Sequence, residues 1–265
     1  MAKHRVCVIG NSHAAALRVG LDLLPELNDR FVFDFFAAQS DLMRSMQLVG
    51  RKLMPTSEVT RQRLGAYSQG RTEIEIDGYE SFLIVGMGFG IAGPGFVRPF
   101  SALQKYQFFG FQNTEASSGG FISRPCFNAL TESVLRNSTA NYFAEMLKKE
   151  IGVPVYLSPA PYPSEDVLCT GAKEFWLQSV ENGAWRYAVE VYQDKAEKIA
   201  GARGYKLLFQ PPETRTQDGF TQKKFSHESV RLSEALDVKH PPFEPYHMNG
   251  LYGQEMLRCF IGLLG

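Results

Sequence analysis

Val6–Leu17 reads VCVIGNSHAAAL, and the fold turns on these twelve residues. The apolar run from Arg5 to Ile9 has no polar residue after its first, which suits a strand buried on both faces. It stops at Gly10-Asn11-Ser12-His13, and Ala14–Leu24 then carries apolar residues at helical spacing until Pro25. A strand that feeds a helix through so short a turn can hold one small side chain out at its carboxyl end. Ser12 is the candidate. The plain alternative is a helix N-cap, with Ser12 bonding the first turn.

The same grammar continues outward. Phe31–Ala38 is expected as a second strand, 41–68 as helical or irregular chain, and Thr72–Ile76 as an exposed strand. Asp77-Gly78 signals a hairpin turn into a buried strand, Tyr79–Val85. Long helices are expected at Asn128–Glu150 and Glu174–Ala202, strands at Pro154–Ser158 and Lys206–Gln210, and a closing helix at Leu251–Leu264. This alternation predicts an α/β protein: a three-layer α/β/α sandwich with a mostly parallel central sheet. No repeat, linker or low-complexity tract divides the chain, so 1–265 is expected to be one domain. Ligands of such sheets lie beyond the strands' carboxyl ends. Four of those ends, GNSH, GMGFGIAGPG, SPAPYP and QPPE, are rich in Gly, Pro or small polar residues.

Composition removes several classes of function. Lys plus Arg number 28 and Asp plus Glu 28, so the net charge makes no case for nucleic acid or an anionic membrane. Cys7, Cys126, Cys169 and Cys259 have no short spacing, which argues against structural zinc and a disulfide framework. Only four apolar residues follow the basic start before Gly10, too few for a signal peptide. The longest uncharged stretch, Ser81–Val97, holds five glycines and Pro94 and is not expected to span a membrane. A cytoplasmic protein is expected.

A serine hydroxyl needs a base to become a nucleophile, and the chain has five histidines. His4 belongs to the wrong end of the first strand. His13 adjoins the serine, where neighbouring side chains generally diverge. His227 lies in a polar segment, and His240 is followed by Pro241-Pro242. His247, in a loop just before the last helix, remains, with Glu244 three residues earlier to orient its imidazole. The glycines at 86, 88, 90, 93 and 95 lack the Lys-Ser/Thr of a phosphate loop, and the first turn has one glycine where a dinucleotide site has three. No His/Asp/Glu cluster shows ligand spacing, so neither metal nor cofactor is expected. Trp176, Trp185, Tyr187 and Tyr192 fall in an expected helical stretch, and most of them are assigned to packing.

Gly-Asn-Ser-His after the first strand, with EPYHMNGLYG before the last helix, resembles the SGNH (GDSL-type) hydrolase superfamily. That resemblance implies a flavodoxin-like sandwich with Ser12 as nucleophile and His247 as base. Glu244 stands where the family has aspartate. The Ser12 N–H would be one oxyanion donor. The family's third block ends in asparagine, where this chain has Gly88, so Gly86, Gly88 and Asn113 are the candidates for the missing donor. The second-block glycine has no counterpart, and Gln39 or Ser40 occupies that loop.

The implied function is a serine esterase acting on a small acyl ester, such as O-acetyl groups of a carbohydrate. Asn11, His13, Arg98 and Arg124 are candidate substrate-binding residues, the arginines belonging to a segment, 86–124, expected to wall the pocket. The expected partner is a small-molecule or carbohydrate ester substrate, with neither nucleic acid nor membrane, and the oligomeric state is left open. The alternatives are an acyltransferase that passes the acyl group to a sugar, and a non-catalytic binding protein, motivated by Gly88.

Overall fold

The computed structural model describes residues 2–91, 106–108, 120–170, 173–233 and 235–264. In chain order the elements are β1 (His4–Gly10), α1 (Ala14–Asp22), β2 (Phe31–Ala37), α2 (Ser40–Met43), β3 (Met46–Val49), β4 (Lys52–Pro55), α3 (Glu58–Tyr67), β5 (Ile74–Glu75) and β6 (Ser81–Val85). Then follow β7 (Tyr106–Phe108), β8 (Gly120–Ile122), α4 (Arg124–Arg136), α5 (Thr139–Glu150), β9 (Val155–Ser158), α6 (Lys173–Glu181), α7 (Ala184–Arg203), β10 (Lys206–Leu207) and α8 (Gly250–Leu264).

The central sheet runs β10-β9-β6-β1-β2, with every neighbouring pair parallel. Among these five the chain order is 2-1-3-4-5, so the connections leave β1 in opposite directions and open a crevice above β1 and β6. Alternate residues of β1 serve opposite layers. Val6 and Val8 pack with Leu83, Val85 and Tyr156 against Leu17 of α1 and Met256, Leu257 and Phe260 of α8. Cys7 and Ile9 join Phe82, Ile84 and Leu157 beneath Phe127 of α4, Phe143 and Leu147 of α5, and Trp185 and Tyr192 of α7. All four β1 residues are fully buried, which explains the unbroken apolar run. The molecule is therefore an α/β/α sandwich. No described helix is long and apolar enough to cross a membrane.

Several boundaries differ from the sequence reading. Region 41–68 contains a hairpin, β3–β4, closed by a two-residue turn in which Val49 faces Lys52 and Gly50 has φ +59°. Thr72–Ile76 does not form a hairpin with β6. Its strand, β5, pairs antiparallel with β4 in a separate three-stranded sheet. Both sides of β6 are already taken by the parallel strands β1 and β9, which leaves no edge for an antiparallel partner. The two long helices are each split. Ser138 caps α5 by accepting from the Asn141 N–H at 3.1 Å, and Asn182-Gly183 breaks α6 from α7, with Gly183 at φ +76°. The last strand shortens to Lys206–Leu207.

Candidate active site

The turn after β1 is built from backbone bonds. The Asn11 and Ser12 carbonyls accept from Ala14 and Ala15 N–H at 2.9 and 3.1 Å. The Asn11 side chain accepts from the His13 N–H at 3.3 Å, and α1 has no side-chain cap from its N-cap residue, His13. Ser12 is thus not the helix cap.

Its Oγ lies 2.9 Å from His247 Nε2, and His247 Nδ1 lies 2.9 Å from Glu244 Oε2. The same carboxylate oxygen accepts the backbone N–H of His247 at 2.7 Å and of Tyr246 at 3.1 Å. Burial alone would raise the Glu244 carboxyl, but the hydrogen bonds from His247 outweigh it and hold the group below its ordinary value. An ionised Glu244 accepts from Nδ1–H, which leaves Nε2 as the acceptor facing Ser12. Side chains of His247 and Glu244 remain 24% and 20% exposed, so the trio is reachable from outside.

Tertiary packing carries His247 to Ser12. Asn249 opens α8, its side chain accepting from the Tyr252 N–H at 3.2 Å and donating to the carbonyls of Lys224 and His227 at 2.8 Å each. The loop carrying the site is pinned where the Ser164 N–H donates to the Pro245 carbonyl at 2.7 Å. Ser164 in turn belongs to a buried cluster in which Ser226 Oγ meets Ser164 Oγ at 2.8 Å and Asp166 Oδ2 at 3.2 Å. Sequence reasoning missed all four anchors, and only the Asn-Gly preceding the last helix hinted at one of them.

Two more imidazoles flank the trio. His240 stacks on His247 with ring centroids 4.1 Å apart and planes 14° apart; His13 stacks on it at 5.4 Å and 28°. Neighbours in sequence do not diverge here: Ser12 and His13 both meet His247. Burial, reinforced by His247, pushes His13 down to about 3 and His240 to about 4, so both rings are neutral near pH 7. His13 Nδ1 and His240 Nε2 are buried without a hydrogen-bond partner among the described residues. His240, Glu244 and His247 also correct the expectation that no His/Glu cluster has ligand spacing. One ligand atom from each lies within 4.8 Å of the others.

The end of β6 abuts the same turn. A Cβ on Gly86 would come 2.6 Å from both Asn11 Oδ1 and His13 Cδ2, and Gly86, Met87 and Gly88 have φ of +68°, +46° and +80°. The Gly86 N–H is donated to the Ser158 carbonyl at 2.9 Å, which removes it as a donor to substrate. The N–H groups of Met87 and Gly88 have no partner among the described residues.

Among the other expected site residues, Arg98 and Asn113 lie outside the described residues. Arg124 opens α4 with its guanidinium over the Tyr187 ring at 5.2 Å. His4 sits on Ser81 at 3.0 Å, and His227 lies 3.3 Å from Asp166. Trp176, Trp185 and Tyr192 are buried in packing.

No family model matches the chain, and no curated protein matches it. Among solved structures it is similar to the periplasmic domain of a lipopolysaccharide acetyltransferase from Salmonella ser. Paratyphi A, at 10% identity and a TM-score of 0.41, covering 99% of this chain and 84% of that one. It is also similar to a gut microbial diltiazem-metabolizing enzyme, at 10% identity and a TM-score of 0.33, over 80% of this chain and 38% of that one. Likeness at this level carries no argument about chemistry, which must come from the site.

Proposed function

We propose that this chain is a serine-dependent acyl-ester hydrolase of the SGNH type, with Ser12 as nucleophile. The observation that carries this reading is the unbroken relay Ser12 Oγ, His247 Nε2, His247 Nδ1, Glu244 Oε2, with both links at 2.9 Å. Such a relay is what a hydroxyl needs to attack a carbonyl carbon: Nε2 takes its proton as the C–O bond forms, and Glu244 stabilises the imidazolium. The tetrahedral oxyanion needs donors fixed in advance. The Ser12 N–H and the left-handed turn at Met87 and Gly88 are the backbone groups suited to supply them, which removes the need for the asparagine that Gly88 replaces. His247 then returns the proton to the leaving alcohol, and a water activated by the same nitrogen releases the acid. The resemblance favours a small acyl group on a carbohydrate alcohol.

The test is a fluorophosphonate probe followed by mass spectrometry. An adduct on Ser12 that is absent from Ser12→Ala and His247→Ala supports the reading. A folded wild type that takes no adduct would remove it in favour of ligand binding without turnover. Comparing products with and without a carbohydrate acceptor separates hydrolysis from transfer.

A further inference from the structure

We propose that His240, Glu244 and His247 form a binding site for a divalent transition metal, Zn²⁺ or a close relative, whose occupancy switches the serine site off. The binding rests on the three side chains alone, and the inhibition rests on the acyl-transfer reading above.

Two imidazoles and a carboxylate are a ligand set that zinc uses where one coordination position stays open to water. Nitrogen donors select zinc, copper, nickel or cobalt over magnesium and calcium. One ligand atom from each residue already lies within 4.8 Å of the others, and two ligand atoms on a tetrahedral zinc stand roughly 3.4 Å apart. The His247 Nδ1–Glu244 Oε2 pair, at 2.9 Å, must open slightly to admit the ion, and the third ligand must close. His240 has reason to move. Its Nε2 is buried with no hydrogen-bond partner among the described residues, an arrangement that a metal bond would relieve. In the present stack the two rings are nearly parallel, 14° apart, so ligation requires the His240 ring to turn about its side-chain bonds. Its backbone can stay fixed, since the His240 N–H is held by the Ser229 carbonyl at 2.8 Å. The neighbouring Pro241, Pro242 and Phe243 are exposed and do not wall it in.

The consequence follows from the tautomer. In the active arrangement His247 carries its proton on Nδ1 and offers Nε2 to Ser12. A metal can bind Nδ1 only in the other tautomer, in which Nδ1 has given up its proton and the neutral ring carries one on Nε2 instead. No proton is lost from the imidazole, but Nε2 has become a donor and cannot accept the serine proton. Glu244 leaves its hydrogen bond to ligate the ion. Metal and base function therefore exclude one another.

The experiment uses Zn²⁺ titration by calorimetry and Co²⁺ absorption spectra on metal-free wild type, Ser12→Ala, His240→Phe and His240→Gln, each checked for folding by circular dichroism. Expected are saturable one-to-one uptake by wild type and by Ser12→Ala, which keeps every ligand, and affinity weaker by at least ~10- to 100-fold in both His240 variants. In wild type, Zn²⁺ abolishes ester turnover and a chelator restores it, whereas the ratio of rates with and without Zn²⁺ stays near one in the His240 variants. No saturable uptake by folded wild type, or equal uptake by the His240 variants, overturns the site. Uptake by wild type and Ser12→Ala, with no turnover of any ester by metal-free wild type, keeps the metal site and overturns the acyl-transfer reading instead.

Discussion

Gly253 of α8 lies so close to the carbonyl of Ala16 on α1 that a Cβ at this position would overlap it. Gly20 and Gly250 are also confined, though less tightly, against the backbone of Gln254 and the side chain of Val19. This contact joins the helix that starts two residues after Ser12 to the one that starts three residues after His247. Gly253→Ala must push the helices apart. It is expected to cost about 1–3 kcal/mol and to lower turnover more steeply than stability, because it separates Ser12 from His247. Denaturant midpoints and kcat measured side by side check this.

Glu244 holds its partner with one oxygen that accepts three N–H groups. Glu244→Gln keeps the shape but loses the charge that stabilises an imidazolium. A fall in kcat of roughly 100- to 10,000-fold is expected, with little change in KM. Glu244→Asp keeps the charge but is one methylene short, and it too should lose most activity. Steady-state kinetics on any ester the wild type accepts would show both effects.

His13 is held neutral down to about 3 by burial and by His247, whereas an unfolded histidine protonates near 6.5. Between those values the unfolded chain binds the extra proton, so stability is full above about 6.5 and declines as pH falls toward 3. The slope from this one group is at most about 1.4 kcal/mol per pH unit. His13→Phe keeps a ring in the stack and should flatten that part of the profile. Urea unfolding from pH 7.5 to 4, in metal-free buffer, measures the difference.

Gly86→Ala would force a Cβ against Asn11 Oδ1 and His13 Cδ2 at a backbone φ of +68°. The left-handed conformation alone costs about 1–2 kcal/mol for a residue with a side chain. Displacing both neighbours of Ser12 should also cut kcat by ~100-fold, the effect of an ångström's misplacement. Gly152→Ala, which meets nothing within 4 Å and has no positive φ, is the control that should do neither.

The strand-turn-helix at Val6–Leu17 was legible because a doubly covered parallel strand must be apolar throughout and a tight turn must be small and polar. The layering followed from that local logic, whereas Ser12 and His247 were singled out by the base a serine nucleophile needs and by their order along the chain. The β3–β4 hairpin and the split of α4 from α5 also had local signals, Val49-Gly50-Arg51-Lys52 and Asn137-Ser138, whose turn and cap chemistry was outweighed by helical spacing on either side. The pairing of β5 had none, since which edge a short strand joins depends on which edges remain open.

The site divides the same way. Residue types and order along the chain determined a serine at the first strand's end and a Glu-x-x-His before the last helix, because those are properties of short segments. Only the tertiary structure decided that Ser12 and His247, 235 positions apart, meet at 2.9 Å, and that His13 and His240 stack on the same ring. It decided too that the Gly86 N–H is already spent on Ser158. Such contacts arise where α8 packs on α1 and β6 ends beside the first turn, and no segment of the sequence carries that information alone.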